Sequence, residues 1–246
     1  MPDTREARRA ASEVKFLVDP ATGDRIREWA RRHLDADPHG AGPFGDEYST
    51  TSLYFDTIDR VVLHRRGSFA RAKYRIRRYG ALDFVFLERK LRKTSIVVKR
   101  RARVPMESLE RLDGKGTTMA WVGDWFRRRV EVRGLRPVCV LTYRRMARGL
   151  SGDPSFARLT LDDCIRVAPI DRPRFDWSEP GIPILEGRLI LELKFRGRLP
   201  AVFKRLVDDL ALNVQTASKY RFGMTALDGR RAMAEGAATG TDDAHA

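Results

Sequence analysis

Basic side chains recur on single faces of strand-like segments of this 246-residue chain, and rows of fixed positive charge are groups that can hold successive phosphates. Arg71, Lys73, Arg75 and Arg77 share one face of their segment, and Lys99, Arg101 and Arg103 share one face of theirs. Glu13 and Lys15 lie opposite Val14, Phe16 and Val18. Near the C-terminal end, Arg188, Glu192, Lys194 and Arg196 oppose Leu189, Leu191, Leu193 and Phe195. Arginine would grip a phosphate bidentately and lysine as a point charge. An ordinary half-buried strand turns its polar face to water, but here the polar faces are too uniformly charged to be read only that way.

The whole chain agrees with a polyanionic partner. Its 48 Lys and Arg against 33 Asp and Glu leave a formal charge of +15, a field that attracts nucleic acid, an anionic membrane surface or polyphosphate alike. The basic faces interleave few aromatics, which argues against RNA, whose recognition uses base stacking. His33, His39, His64 and His245 are scattered, so no His metal site is expected. Cys139 and Cys164 lack metal-type spacing and read as buried free thiols of a reducing compartment. No apolar run approaches the ~20 residues of a membrane span, and Met1 to Ala11 is polar, so a cytoplasmic location is expected.

The elements that must position these residues are mostly strands. Period-two alternation marks 13–18, 49–55, 71–79, 84–90, 96–104, 138–148, 156–167 and 189–195. Helices are expected over 21–34, after Asp19-Pro20, over 105–112 and 117–132, and over 200–212, where Phe203, Leu206, Val207 and Leu210 form a stripe. Residues 1–11 and 230–246 read as flexible ends around a single domain over 12–229. This is an α+β chain with antiparallel strands. If helices cover the apolar strand faces, the charged faces line either a closed barrel or an open, solvated basic sheet, and alternation alone favours neither.

Nine short segments, in order, resemble the VTC domain, the polyphosphate polymerase module of vacuolar transporter chaperones within the CYTH, or triphosphate-tunnel, superfamily. They are Glu13-Val14-Lys15-Phe16, Ser52-Leu53-Tyr54-Phe55-Asp56-Thr57, Arg75-Ile76-Arg77-Arg78-Tyr79-Gly80, Glu88-Arg89-Lys90, Val98-Lys99-Arg100, Tyr143-Arg144-Arg145, Arg158-Leu159-Thr160-Leu161-Asp162, Leu191-Glu192-Leu193-Lys194 and Ser218-Lys219-Tyr220. The resemblance implies a closed eight-stranded antiparallel β-barrel with helices packed outside. It implies that Lys15, Arg75, Arg77, Lys90, Lys99, Arg145, Arg158, Lys194 and Lys219 bind phosphates. Glu192, assisted by Glu13, is the implied ligand of Mn²⁺ or Mg²⁺. Lys15, Arg75, Arg77, Lys90, Lys99 and Glu192 form the implied catalytic set.

The implied reaction moves the γ-phosphate of ATP onto polyphosphate. A triphosphate or polyphosphate hydrolase is the alternative, and a non-catalytic polyphosphate-binding module a second one. The resemblance also implies a membrane-protein partner, while the few aromatics on the basic faces argue for no nucleic acid. Two positions depart from the family pattern. Ala11 stands where the superfamily has its first glutamate, and Thr216 stands where a second lysine is usual, so that one phosphate contact is either absent or supplied by Arg221.

Overall fold

A computed structural model describes residues 11–37, 40, 42–67, 69, 71–93, 96–113, 120–150, 157–175 and 181–239. The expected flexible N-terminus, apart from Ala11, lies outside these residues, as do the starts expected at 117 and 156. Eight strands follow one another across a sheet in the order β1 (Ala11–Val18), β10 (Leu189–Arg196), β8 (Arg158–Pro169), β7 (Arg136–Gly149), β3 (Glu47–Asp56), β4 (Ala72–Tyr79), β5 (Phe84–Lys93) and β6 (Ile96–Pro105). Every neighbouring pair is antiparallel. Two short strands, β2 (Asp35–Ala36) and β9 (Ile182–Pro183), pair with β7 and β8 off this path.

The sheet has ten strands and is not closed, which corrects the expected eight-stranded closed barrel. Among the described residues no backbone ladder joins β1 to β6, the two ends of the path. The physical reason is visible on β1. The Lys15 carbonyl accepts a bond from the Gln215 amide at 2.8 Å, so the stretch before the last helix lies along that strand instead. A side-chain contact bridges the seam: Lys90 of β5 donates to Glu13 of β1 at 2.9 Å.

Alternation sorts the sheet into a charged inner face and two apolar outer cores. On one side Phe16, Val18, Leu159, Leu161, Leu191 and Leu193 pack under α1 (Pro20–His33) and α4 (Ala201–Asp209), which contribute Ile26, Trp29, Phe203 and Leu206. Helix α1 begins where expected because the Asp19 carboxylate caps the Thr22 amide at 2.9 Å and Pro20 fits the first turn. On the other side Leu53, Tyr74, Ile76, Val85, Leu87 and Val104 pack against Phe126 of α3 (Asp124–Val132) and Leu109 of the 3₁₀ turn over Met106–Asp113.

A third core covers one end of the inner face, and its helix was not expected. Helix α5 (Lys219–Thr239) runs well into the stretch read as a flexible tail and sets Tyr220 and Met224 against Tyr54, Leu141, Tyr143, Ile165 and Val167. Gly223 permits this approach: a Cβ there would lie 3.0 Å from a Val167 methyl and 3.2 Å from one of Leu141. Buried Asp56 ties α5 down by accepting from the Tyr220 hydroxyl at 2.5 Å and from the Val62 and Leu63 amides, which open α2 (Val61–His64), at 2.9 Å each. Both cysteines are free, but only Cys139 is buried; Cys164 is exposed, because it sits where β8 bulges with φ of 49°.

Candidate functional site

The inner face carries its charges in tiers set by strand register. Arg75 of β4 faces Glu88 of β5, which faces Arg101 of β6. Glu88, 1 % exposed, accepts from Arg75 Nε at 2.6 Å and lies 2.8 Å from Lys99 Nζ and 3.2 Å from Arg101 Nε. It anchors these three cations. Burial raises its carboxyl pKa, but Arg75, Lys99, Arg77 and Arg101 outweigh burial and hold it well below the usual range.

A second tier crosses β1 and β10. Lys15 lies 2.9 Å from Glu13 and 3.0 Å from Glu192, bridging the two carboxylates. The second oxygen of Glu13 takes Lys90, and that of Glu192 takes Lys194. Burial opposes charge on Glu192, but Lys194, Lys15, Lys90 and Arg145 keep it ionised well below its usual range. The expected set Lys15, Lys90, Lys194, Glu13 and Glu192 thus meets in one lattice.

Arg77 stands apart. It is 5 % exposed, and among the described residues its partners are neutral hydroxyls, Ser52 at 3.0 Å and Tyr143 at 2.9 Å. Lys73, next on the same face, donates to Ser218 at 2.9 Å. Burial, against the charge of Tyr54 and with those of Lys15, Lys90 and Arg75, lowers its amine to about 8. Lys99 falls to about 8 as well: burial pushes it down, Glu88 pulls up, and Arg101 and Arg75 push down.

Three expected phosphate ligands are otherwise engaged. Arg145 forks onto buried Asp162 at 2.6 and 2.7 Å, and Lys219 of α5 reaches the same carboxylate. Arg158 bonds Tyr48 at 3.2 Å and Asp37 at 2.7 Å, at the end of the face away from α5. Arg221 is exposed, so the amine beside Lys219 comes instead from Lys73 through Ser218.

Sequence reasoning placed Lys73 only in the basic row of its strand and gave no role to Asp162, Ser52 or Tyr143, nor to four inner-face aromatics, Tyr48, Tyr79, Phe84 and Phe86. The signal for Phe84 and Phe86 was there: they share the alternation of Glu88 and Lys90 along β5. Thr50 and Thr160, both 1 % exposed, have hydroxyls without a hydrogen-bond partner among the described residues.

Could the site hold a divalent cation? No group of three or more His, Cys, Asp or Glu converges among the described residues. Glu13 and Glu192, sharing Lys15, offer two hard carboxylates. That suits an ion such as Mg²⁺, which typically takes one or two carboxylates and completes its shell with phosphate oxygens and water.

An incomplete sheet with a basic concave face and covering helices matches known proteins. Residues 10–228 match the VTC domain, and the chain belongs to that family. No curated protein matches it. A putative adenylate cyclase from Bacillus halodurans shares the fold with a TM-score of 0.51 and 16 % identity, over 85 % of this chain and 96 % of that one. A putative adenylyl cyclase from Hippeastrum, described as having a dominant triphosphatase activity, matches with a TM-score of 0.51 and 13 % identity, over 89 % of this chain and 96 % of its own.

Proposed function

We propose that the chain is a metal-dependent polyphosphate polymerase that transfers the γ-phosphate of ATP to a polyphosphate chain held on the inner face. The observation that carries this reading is Arg77, a guanidinium buried among hydroxyls. Among the described residues it touches no carboxylate, and it shares the field of Glu88 with Arg75, Lys99 and Arg101, so an anion brought by a ligand would supply the direct counter-charge that this buried cation lacks. Membership of the VTC family supports the same assignment.

Phosphoryl transfer needs positioned phosphates, neutralised charge and an in-line acceptor rather than covalent help from the protein. Arg75, Arg77 and Lys99 would hold successive phosphates on β4 and β6. Lys15, Lys90 and Lys194 would turn from Glu13 and Glu192 to phosphate oxygens, releasing the two carboxylates for a Mn²⁺ or Mg²⁺ ion. That ion, when bound, would neutralise charge on the phosphates and the leaving group. Arg145 and Lys219, both tied to Asp162, would act more as a wall than as moving ligands. With Ala11 at the start of β1, one superfamily carboxylate is absent, leaving Glu13 and Glu192 for the metal.

The Hippeastrum protein's triphosphatase activity motivates the hydrolytic alternative, in which water replaces the chain end as nucleophile in the same site. Incubation of pure protein with ATP and Mn²⁺, read by gel and ³¹P NMR, separates the two. Long polyphosphate is the expected product; ATP left intact while tripolyphosphate is cleaved would overturn the polymerase. A membrane-protein partner follows only from the family. No helix among the described residues is long and apolar enough to cross a membrane.

A further inference from the structure

Tyr48, Tyr79, Phe84 and Phe86 belong to none of the three apolar cores and are all half-buried. They meet edge to face, Tyr48 with Tyr79 at 5.6 Å, Tyr79 with Phe86 at 5.7 Å and Phe84 with Phe86 at 5.5 Å between centroids. Two guanidinium groups lie over this shelf, Arg101 at 3.3 Å from the Phe86 centroid and Arg103, exposed, at 3.7 Å from that of Phe84. The shelf occupies the end of the inner face opposite α5, because Tyr79 ends β4 and Phe84 opens β5, whereas Lys73 at the other end of β4 meets Ser218.

Everywhere else along the inner faces of β4, β5 and β6 the side chains from Lys73 to Arg77, from Glu88 to Lys90 and from Lys99 to Arg103 are charged. Flat apolar surface interleaved with guanidinium planes is the surface on which planar heterocycles stack, through ring faces and cation–π contact. Arg77 pairs in register with Phe86, so the phosphate row begins one residue pair from the rings.

We propose that this shelf binds the base of a nucleoside triphosphate and so sets its direction, base at the aromatic end and phosphates running toward α5. The inference rests on the phosphate-binding reading and deepens it, giving the nucleotide donor a seat for its base and a fixed direction along the face. Since stacking accepts any π-face, purine and pyrimidine triphosphates both bind, the larger purines more tightly.

Calorimetry with ATP and with tripolyphosphate, on the parent and on Phe86→Ala, Phe84→Leu and Phe86→Trp, tests it. Phe86→Ala should weaken ATP about tenfold while leaving tripolyphosphate within about twofold, and Phe86→Trp should restore ATP. Retained tripolyphosphate binding certifies that a variant is folded, and Phe84→Leu gives a milder version of the same selective loss. Equal loss of both ligands in both truncating variants, or no loss of ATP, would overturn the base shelf alone. A parent that binds neither ligand would overturn the phosphate site and the shelf with it.

Discussion

Burying the Arg77 guanidinium against Ser52 and Tyr143, with Glu88 near but out of contact, carries a desolvation cost that an apolar side chain of similar length would not. Arg77→Met is therefore expected to melt within a few degrees of the parent, while its tripolyphosphate affinity drops about tenfold or more, as loss of a charge-assisted contact requires. A sharp fall in melting temperature with intact binding would reassign Arg77 to architecture. Glu192 makes the opposite forecast. Glu192→Gln keeps shape but loses the charge that holds Lys15 and Lys194, so anion affinity should hold or rise while turnover with ATP and Mn²⁺ falls about a hundredfold. Full activity in that variant would remove Glu192 from metal binding.

The same residues fix a pH dependence. Lys73 and Lys99, both brought down to about 8, lose charge as pH rises through that value. Burial raises the Tyr79 phenol, but Arg77, against Glu88 and with Arg101 and Arg145, brings it down to about 7, so it gains negative charge over an overlapping range. Both changes weaken anion binding. Because a bound anion favours the protonated forms, the sign is fixed: tripolyphosphate affinity should decline from pH 7 to 9, and binding at pH 8 should take up protons. Calorimetry in buffers of different ionisation enthalpy reads that uptake, and proton release would contradict the assignment.

Among the elements, α5 decides how far the inner face extends. Its packing depends on the missing side chain at Gly223, and Gly223→Val should cost about 1–3 kcal/mol by forcing the helix from Val167 and Leu141. Denaturant titration measures that loss, and a neutral effect would mean that α5 is loosely seated. The eight principal strands were legible from alternation, and α1 and α4 from their stripes, because each buries one continuous apolar face. Helix α5 was not legible. Its glycines lower helix propensity, and its apolar residues Tyr220, Met224 and Leu227 follow a core assembled from distant strands.

Within the site the charged rows of β4 and β6 were legible by parity. The engagement of Arg145 and Lys219 by Asp162 was not, since it needs β7, β8 and α5 brought together in space. Cys164 was misread as buried because an apolar run says nothing of a bulge that turns one residue outward.

At the scale of the whole molecule the order of strands leaves β1 and β6 as the two ends of the path, joined by no ladder among the described residues. The stretch carrying Gln215 lies beside β1 through a single described backbone bond, and Lys90 with Glu13 ties the seam across the charged face. Hydrogen exchange should find the Gln215 amide faster than those of β7 or β8, which pair on both sides, and slower once polyphosphate is added. Protection of Gln215 equal to the central strands before any ligand is present would show the seam to be as firm as a ladder.

A sheet bonded all the way round would resemble a ring, and a polymer could pass through it only by its tip. A sheet with a seam resembles a split sleeve. If the Lys90 and Glu13 pair gives way to phosphate, a long chain could be laid in along its flank. On the polymerase reading, a released polymer would be recaptured along its length and would slide until its end met the nucleotide, with no need to thread in tip first.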